Sequence, residues 1–252
     1  MMMIDGQRIT LANMDEALAA IAQDAARAES FAVFTLNLDH LVKRRQMADF
    51  RAAYGRARHV TADGWPVVWL ARRQGMKVSR TTGADMIVPL CQVAAALELP
   101  VAFVGSTQEV IFAATARLRE LAPGLKIAGR WSPPFGFSPY GAAAGLLIED
   151  IRKSGARLCF VALGAPKQEL FAARAVEAGV PCGFLCTGAA VDFIAGAQRR
   201  APRWVQSAGL EWAWRLAGNP RRLAGRYARS AIVFAKVAYE QMTGRAAMGG
   251  HE

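Results

Sequence analysis

Six short, β-rich apolar runs alternate along this chain with longer stretches in which apolar residues recur every three or four positions. The short runs span 31–36, 58–62, 100–105, 125–129, 157–163 and 181–186, lengths typical of buried strands. The longer stretches, 13–28, 39–54, 65–74, 84–97, 108–121, 140–153 and 166–178, carry the period of amphipathic helices. This alternation predicts an α/β fold with a parallel sheet and helices on both faces. Polar residues and glycines gather where the strands end, at Thr35 and Asn37, at Asp63, at Gly105, from Gly164 to Gln168, and from Thr187 to Asp192. Ligands of open parallel sheets bind beyond the carboxyl ends of the strands. The pattern therefore predicts where a site lies before any chemistry is considered.

The texture changes near residue 199. Strand patterns stop, and Arg and Trp become frequent. Residues 202–217 and 221–242 read as two helices separated by Gly218-Asn219-Pro220, a stop-and-restart signal. In the second, Leu223, Tyr227, Phe234 and Val237 form an apolar stripe, while Arg222, Arg226 and Arg229 form a cationic one. The expected organisation is an α/β core over 1–198, a basic amphipathic helical appendage over 199–245, and a disordered tail over 246–252.

Composition sharpens this picture. At 252 residues and 53% hydrophobic content the chain has enough material for a packed core, which argues against disorder. The net charge of +11 is concentrated. Residues 199–245 hold ten Arg or Lys against two Glu, whereas 1–198 hold 21 basic and 17 acidic residues. A cationic surface of this kind suits nucleic acid, an anionic membrane or a phosphate-bearing substrate. The cysteines at 91, 159, 182 and 186 form no CxxC pair, and buried reduced thiols fit a cytoplasmic protein. No signal-peptide pattern opens the sequence and no run of about 20 apolar residues is present, so no membrane span is expected.

Several segments carry a more specific message in their order and spacing. They are Thr35-Leu36-Asn37, Ala62-Asp63-Gly64, Arg80-Thr81-Thr82-Gly83-Ala84-Asp85, Gly164-Ala165-Pro166-Lys167-Gln168-Glu169, Asp192-Phe193, Arg200-Ala201-Pro202, and Glu211-Trp212-Ala213-Trp214-Arg215-Leu216. Taken together over roughly residues 5–240, they resemble the WecG/TagA/CpsF glycosyltransferases, glycosyltransferase family 26. The resemblance implies a Rossmann-like core and an enzyme of surface polysaccharide synthesis. It implies inverting transfer of a sugar of the N-acetylmannosamine, uronic acid or glucose type. The donor would be a nucleotide-diphosphate sugar and the acceptor a polyprenyl-pyrophosphate-linked saccharide. It also implies an appendage that closes the site near the membrane, and a homo-oligomer in some cases.

Inverting transfer needs a base for the acceptor hydroxyl, stabilisation of the leaving diphosphate, and orientation of the donor sugar. Asp63 is the candidate base, followed by a glycine that permits close approach of substrate; its plain alternative is a helix N-cap. Many such enzymes neutralise the diphosphate with a metal held by a D-x-D pair, but this sequence has no D-x-D and only three scattered histidines, 40, 59 and 251. Arginines and backbone N–H groups are then expected to do that work, without metal or other cofactor. Arg80, Arg215, Arg222 and Arg226 are the candidates, with Arg229 as an alternative to Arg226; ordinary solvated helix faces are the competing explanation. Gln168 at a helix start, Thr35, Asn37, Gly105 and Asp192 are candidates for donor binding, against simple capping roles. Trp204, Trp212 and Trp214 beside arginines fit a membrane interface or plain helix packing.

Three other readings compete. A nucleotide-cofactor oxidoreductase lacks support because no G-x-G-x-x-G follows a strand; Gly105-Ser106-Thr107 is the nearest approach. A nucleic-acid-binding module fits the charge but no recognised motif, so no nucleic-acid partner is expected. A catalytically dead partner in an assembly complex is disfavoured by the presence of Asp63, Arg80 and Gln168. The expected location is the inner face of the cytoplasmic membrane, held peripherally.

Overall fold

The computed structural model describes residues 3–243. Six strands make the central sheet: β3 (Phe31–Leu36), β4 (His59–Ala62), β5 (Val101–Gly105), β6 (Ile127–Trp131), β7 (Leu158–Ala162) and β8 (Gly183–Cys186). All are parallel, in the order β4-β3-β8-β7-β5-β6. A small antiparallel hairpin, β1 (Met3–Ile4) and β2 (Gln7–Arg8), stands apart. The strand order is not the 3-2-1-4-5-6 of the dinucleotide-binding fold, so the architecture is Rossmann-like in its layers and distinct in its winding.

The inner strands β3, β5, β7 and β8 are buried and largely apolar on both sides because helices cover both faces. In β3, Ala32, Phe34 and Leu36 point into one core and Phe31 and Val33 into the other. The first core is closed by α2 (Leu38–Gln46), α3 (Ala48–Arg56), α4 (Trp65–Arg73), α7 (Ala142–Ser154) and α8 (Lys167–Glu177). The second is closed by α1 (Met14–Ala26), α5 (Gly83–Ala96), α6 (Gln108–Leu121) and α9 (Ala190–Ile194). Phe103 and Phe160 stack at 5.1 Å between ring centroids in the second layer. Each such fully buried ring contributes about 1.5–3 kcal/mol. All four cysteines are buried and unpaired.

Two expected helices turn out to be broken. The 39–54 stretch divides at Met47, whose backbone is extended (φ −124, ψ 112). The break folds α3 back on α2, so that His40 Nδ1 and Tyr54 Oη meet at 2.6 Å. On one straight helix those two residues would be about 21 Å apart along the axis. The 202–217 stretch divides into α10 (Arg203–Ser207) and α11 (Glu211–Gly218) at Gly209, a left-handed residue (φ 74). The six-to-one bond from Leu210 N to Val205 O (3.0 Å) makes this a helix-terminating turn.

The last helix, α12 (Pro220–Met242), starts after Gly218-Asn219 as the sequence predicts. Its stripe packs as expected: Leu223 and Val237 are buried, and Phe234 lies 5.5 Å from the Trp69 ring. Val237 joins the first core, and Glu240 pairs with Arg45 of α2 at 3.1 Å. No helix among the described residues is long and apolar enough to cross a membrane. The expected tail, 246–252, lies outside the described residues.

Candidate active site

The carboxyl ends of β3, β4, β5, β7 and β8 open on one side of the sheet, and most of the polar motifs converge there. Asp63 follows the last residue of β4, and its backbone N–H donates to Leu36 O at 2.8 Å, locking the β3 and β4 ends together. The N-cap of α4 is Gly64, with no side-chain cap. Asp63 is therefore not spent as a helix cap, the alternative its position in the sequence left open. Its side chain is half-buried, and removal from water raises its pKa to about 6. The nearby charges divide evenly in sign: Arg215 and Arg80 pull the pKa down, while Glu211 and Asp85 push it up. Asp63 thus sits within electrostatic reach of both a core arginine and an arginine of α11.

Arg80 is not a free surface residue. Its Nη2 lies 3.1 Å from Asp85 Oδ2. Asp85 Oδ1 in turn receives Arg200 Nη1 at 2.7 Å, and Thr82 Oγ1 donates to Oδ2 at 2.9 Å. Thr82 also caps α5 by accepting from Asp85 N at 3.1 Å. Arg215 pairs with Glu211 Oε1 at 2.7 Å and lies 5.7 Å from the Phe193 ring centroid. Asp85, Arg200 and Glu211 are the members of this group that sequence reasoning did not single out. Each lies in a quoted motif, but nothing in the sequence pairs residue 85 with residue 200.

The remaining candidates sit deeper. Thr35 is buried at the end of β3, where its carbonyl accepts from Tyr54 Oη at 3.3 Å. Asn37 caps α2, its Oδ1 accepting from His40 N at 3.0 Å. Gln168 is buried in the first turn of α8; its Nε2 donates to Glu169 Oε1 at 2.7 Å and its Oε1 accepts from Gly188 N at 3.2 Å. Gln168 therefore ties the α8 start to the loop after β8. Asp192 lies within α9 and accepts from Ser106 Oγ at 2.9 Å, which joins it to the loop after β5; it does not cap the helix, as its position had allowed. Gly105 has φ 112, and a Cβ there would fall 2.4 Å from the Ala162 backbone, so the β5–β7 contact itself requires glycine.

Beneath these residues lies a buried polar network. His40, held to Tyr54, has Nε2 at 3.8 Å from Glu169 Oε1. Burial lowers the His40 pKa to about 4 and raises that of Glu169 to about 7, so near neutrality His40 is neutral and Glu169 is close to its midpoint. Glu169 Oε2 is buried without a partner among the described residues. Arg226 of α12 is half-buried and its charge is felt at His40, whereas Arg229 is exposed. Arg222 also lies in α12; its side chain is outside the described part of the structure.

The sequence model of the Glycosyl transferase WecG/TagA/CpsF family matches residues 2–247, nearly the whole chain. The chain belongs to this family. Membership makes it a glycosyltransferase acting on a nucleotide-sugar donor and an acceptor. For this family member the positive charge near Asp63 is guanidinium. Among the described residues no three His, Cys, Asp or Glu side chains come together as a metal-ligand set.

Proposed function

We propose that this glycosyltransferase is an inverting enzyme that moves a sugar from a nucleotide-diphosphate donor to a polyprenyl-pyrophosphate-linked saccharide in surface polysaccharide synthesis. The observation that carries the reading is Asp63: an uncommitted, partly desolvated carboxylate at a strand end, with its pKa raised towards neutrality and flanked by two arginines. A base is most effective when its pKa lies near the working pH.

In this mechanism ionised Asp63 takes the proton of the acceptor hydroxyl as that oxygen attacks the anomeric carbon. The bond from that carbon to the diphosphate oxygen breaks, and the nucleoside diphosphate leaves with the electron pair. One displacement inverts the anomeric configuration. Arg80 and Arg215, whose charges both act on Asp63, would meet the negative charge that grows on the leaving group, and Arg222 and Arg226 of α12 would add to them. Thr35, Asn37, Gln168 and Asp192 would orient the donor. The work of a metal would fall to these arginines.

The basic, tryptophan-bearing segment after residue 199 supports docking on an anionic membrane, where the lipid acceptor resides. Trp204 is 69% exposed, and Trp212 and Trp214 are also exposed. On this reading the protein would sit peripherally at the cytoplasmic face.

The test is direct. A panel of nucleotide sugars is incubated with a short-chain prenyl-diphosphate-linked saccharide, with and without EDTA. Release of nucleoside diphosphate and the anomeric configuration of the product are then measured. Transfer with inversion that survives EDTA supports the reading. Retention of configuration, or activity lost to EDTA and restored by a divalent cation, overturns the mechanism as written.

A further inference from the structure

Two charged residues near the site have no part in the mechanism above. Asp85 begins α5 in the core, and Arg200 precedes α10 in the C-terminal segment. They are 115 positions apart in sequence, yet Arg200 Nη1 lies 2.7 Å from Asp85 Oδ1. The other carboxylate oxygen of Asp85 faces Arg80 Nη2 at 3.1 Å. One carboxylate thus holds two guanidiniums, one from each side of the junction near residue 199.

The surroundings show that this hub is built in. All three side chains are between 20% and 25% exposed, so the pairs are partly shielded from water. Burial pushes the Asp85 carboxyl up, but the hydrogen bond and charge of Arg200, followed by Arg80 and Thr82, outweigh it and hold the carboxyl below its ordinary value. The Asp85 charge also acts on Asp63, together with Arg215, Arg80 and Glu211, and Asp63 in turn is felt by Tyr54 of α3. Arg80 therefore answers to two carboxylates. If Asp85 released it, Arg80 would be free to pair with Asp63 and would weaken that residue as a base.

We propose that Asp85 is a positioning residue: it binds Arg80 and Arg200 on one carboxylate, keeps Arg80 from collapsing onto Asp63, and sets the arginines where a departing diphosphate meets them. Arg200 is then an additional diphosphate-facing arginine whose placement depends on Asp85. The inference rests on the reading of Asp63 as the base.

Three variants of the full chain test it, with the Asp63 carboxyl titrated by carbon-13 NMR so that one readout is independent of turnover. Asp85→Asn removes a negative neighbour of Asp63 and frees Arg80, and both effects lower the Asp63 midpoint; a fall of at least half a pH unit is expected. Arg200→Ala leaves Asp85 less neutralised, so the midpoint stays or rises. Thr82→Ala removes the helix cap but neither ion pair; it lowers Tm and leaves the midpoint in place. In transfer assays Asp85→Asn cuts kcat tenfold or more while the donor KM changes less than threefold. The double variant Asp85→Asn/Arg200→Ala is no slower than Asp85→Asn alone, because the pair acts as one unit. Arg200→Lys restores part of what Arg200→Ala loses.

An unmoved Asp63 midpoint in a folded Asp85→Asn protein overturns the proposal. So do kcat losses that multiply in the double variant. If instead Asp63→Asn keeps full turnover while the midpoint shifts appear as expected, the assignment of the base fails and the Asp85 charge hub survives as an electrostatic fact about the site.

Discussion

The indole Nε1 of Trp65 donates to the backbone carbonyl of Gln206 at 3.3 Å, and this bond ties the first residue of α4 to the C-terminal segment two positions past Asp63. The same ring packs against Gly209, where a Cβ would fall 2.3 Å from Trp65 Cδ1 and the backbone is left-handed. Gly209→Ala is accordingly expected to lift α10 and α11 from the core. Trypsin should then cleave within 203–218 faster than in the unaltered protein, and turnover should fall because Glu211 and Arg215 leave Asp63. The thermal transition of the α/β core should move little. Unchanged cleavage with full activity would mean that this contact does not hold the segment in place.

Asp63→Asn removes the proton acceptor while keeping the side-chain shape. Loss of a positioned general base typically costs about 10²–10⁴ in rate, so kcat should fall in that range with donor binding changed by no more than a few-fold. Isothermal titration with the nucleotide-sugar donor and steady-state assays separate the two effects. A matching loss of binding and turnover would make Asp63 a donor ligand and not the base.

The raised pKa of Asp63 fixes the sign of two pH effects. Activity requires the ionised form, so kcat/KM should fall with unit slope as pH drops below about 6. Stability runs the other way. The folded-state value lies above the ordinary aspartate value of 3.8, so the stabilising protonated form is fully present below about 3.8 and its contribution is lost as pH rises through about 6. Asp63→Asn should therefore raise Tm at pH 7.5 and change it little at pH 4. Calorimetry at the two values decides it, and an equal shift at both would remove the electrostatic explanation.

Much of the fold was legible because strand and helix periods are local properties. Phe31–Leu36 and Gln108–Leu121 match the expected bounds to the residue, and the gathering of polar motifs at the carboxyl ends of the strands followed from the alternation alone. The breaks at Met47 and Gly209 were not legible, because tertiary partners determine them: His40 meeting Tyr54, and Trp65 meeting Gly209. Among the candidate site residues, Asp63, Arg80 and Arg215 were singled out by motif. Their arrangement was not, since the pairing of Asp85 with Arg200 spans most of the chain. Glu169 was visible only as a neighbour of Gln168, and its burial comes from α2, α3 and β8 closing over the α8 start.

That burial yields the last prediction. Glu169 is fully enclosed, with Oε1 bonded to Gln168 and Oε2 without a partner among the described residues. Its pKa is raised from 4.5 to about 7, chiefly by desolvation, so its protonated form stabilises the protein fully below about 4.5 and the contribution is lost as pH rises through about 7. His40 acts with the opposite sign and in a lower window: its value falls from 6.5 to about 4, so its contribution is lost as pH falls through that range. Asp63, with its value at about 6, is already mostly ionised by pH 6.5. Between pH 6.5 and 8, then, Glu169 is the group of the three whose ionisation changes most. Each pKa unit corresponds to about 1.4 kcal/mol, and each kcal/mol to roughly 2–4 °C in a chain of this size. The unaltered protein should lose Tm across that interval, and Glu169→Gln, which cannot ionise, should lose markedly less. Parallel curves for the two proteins would show that Glu169 does not carry its charge burden in the folded state.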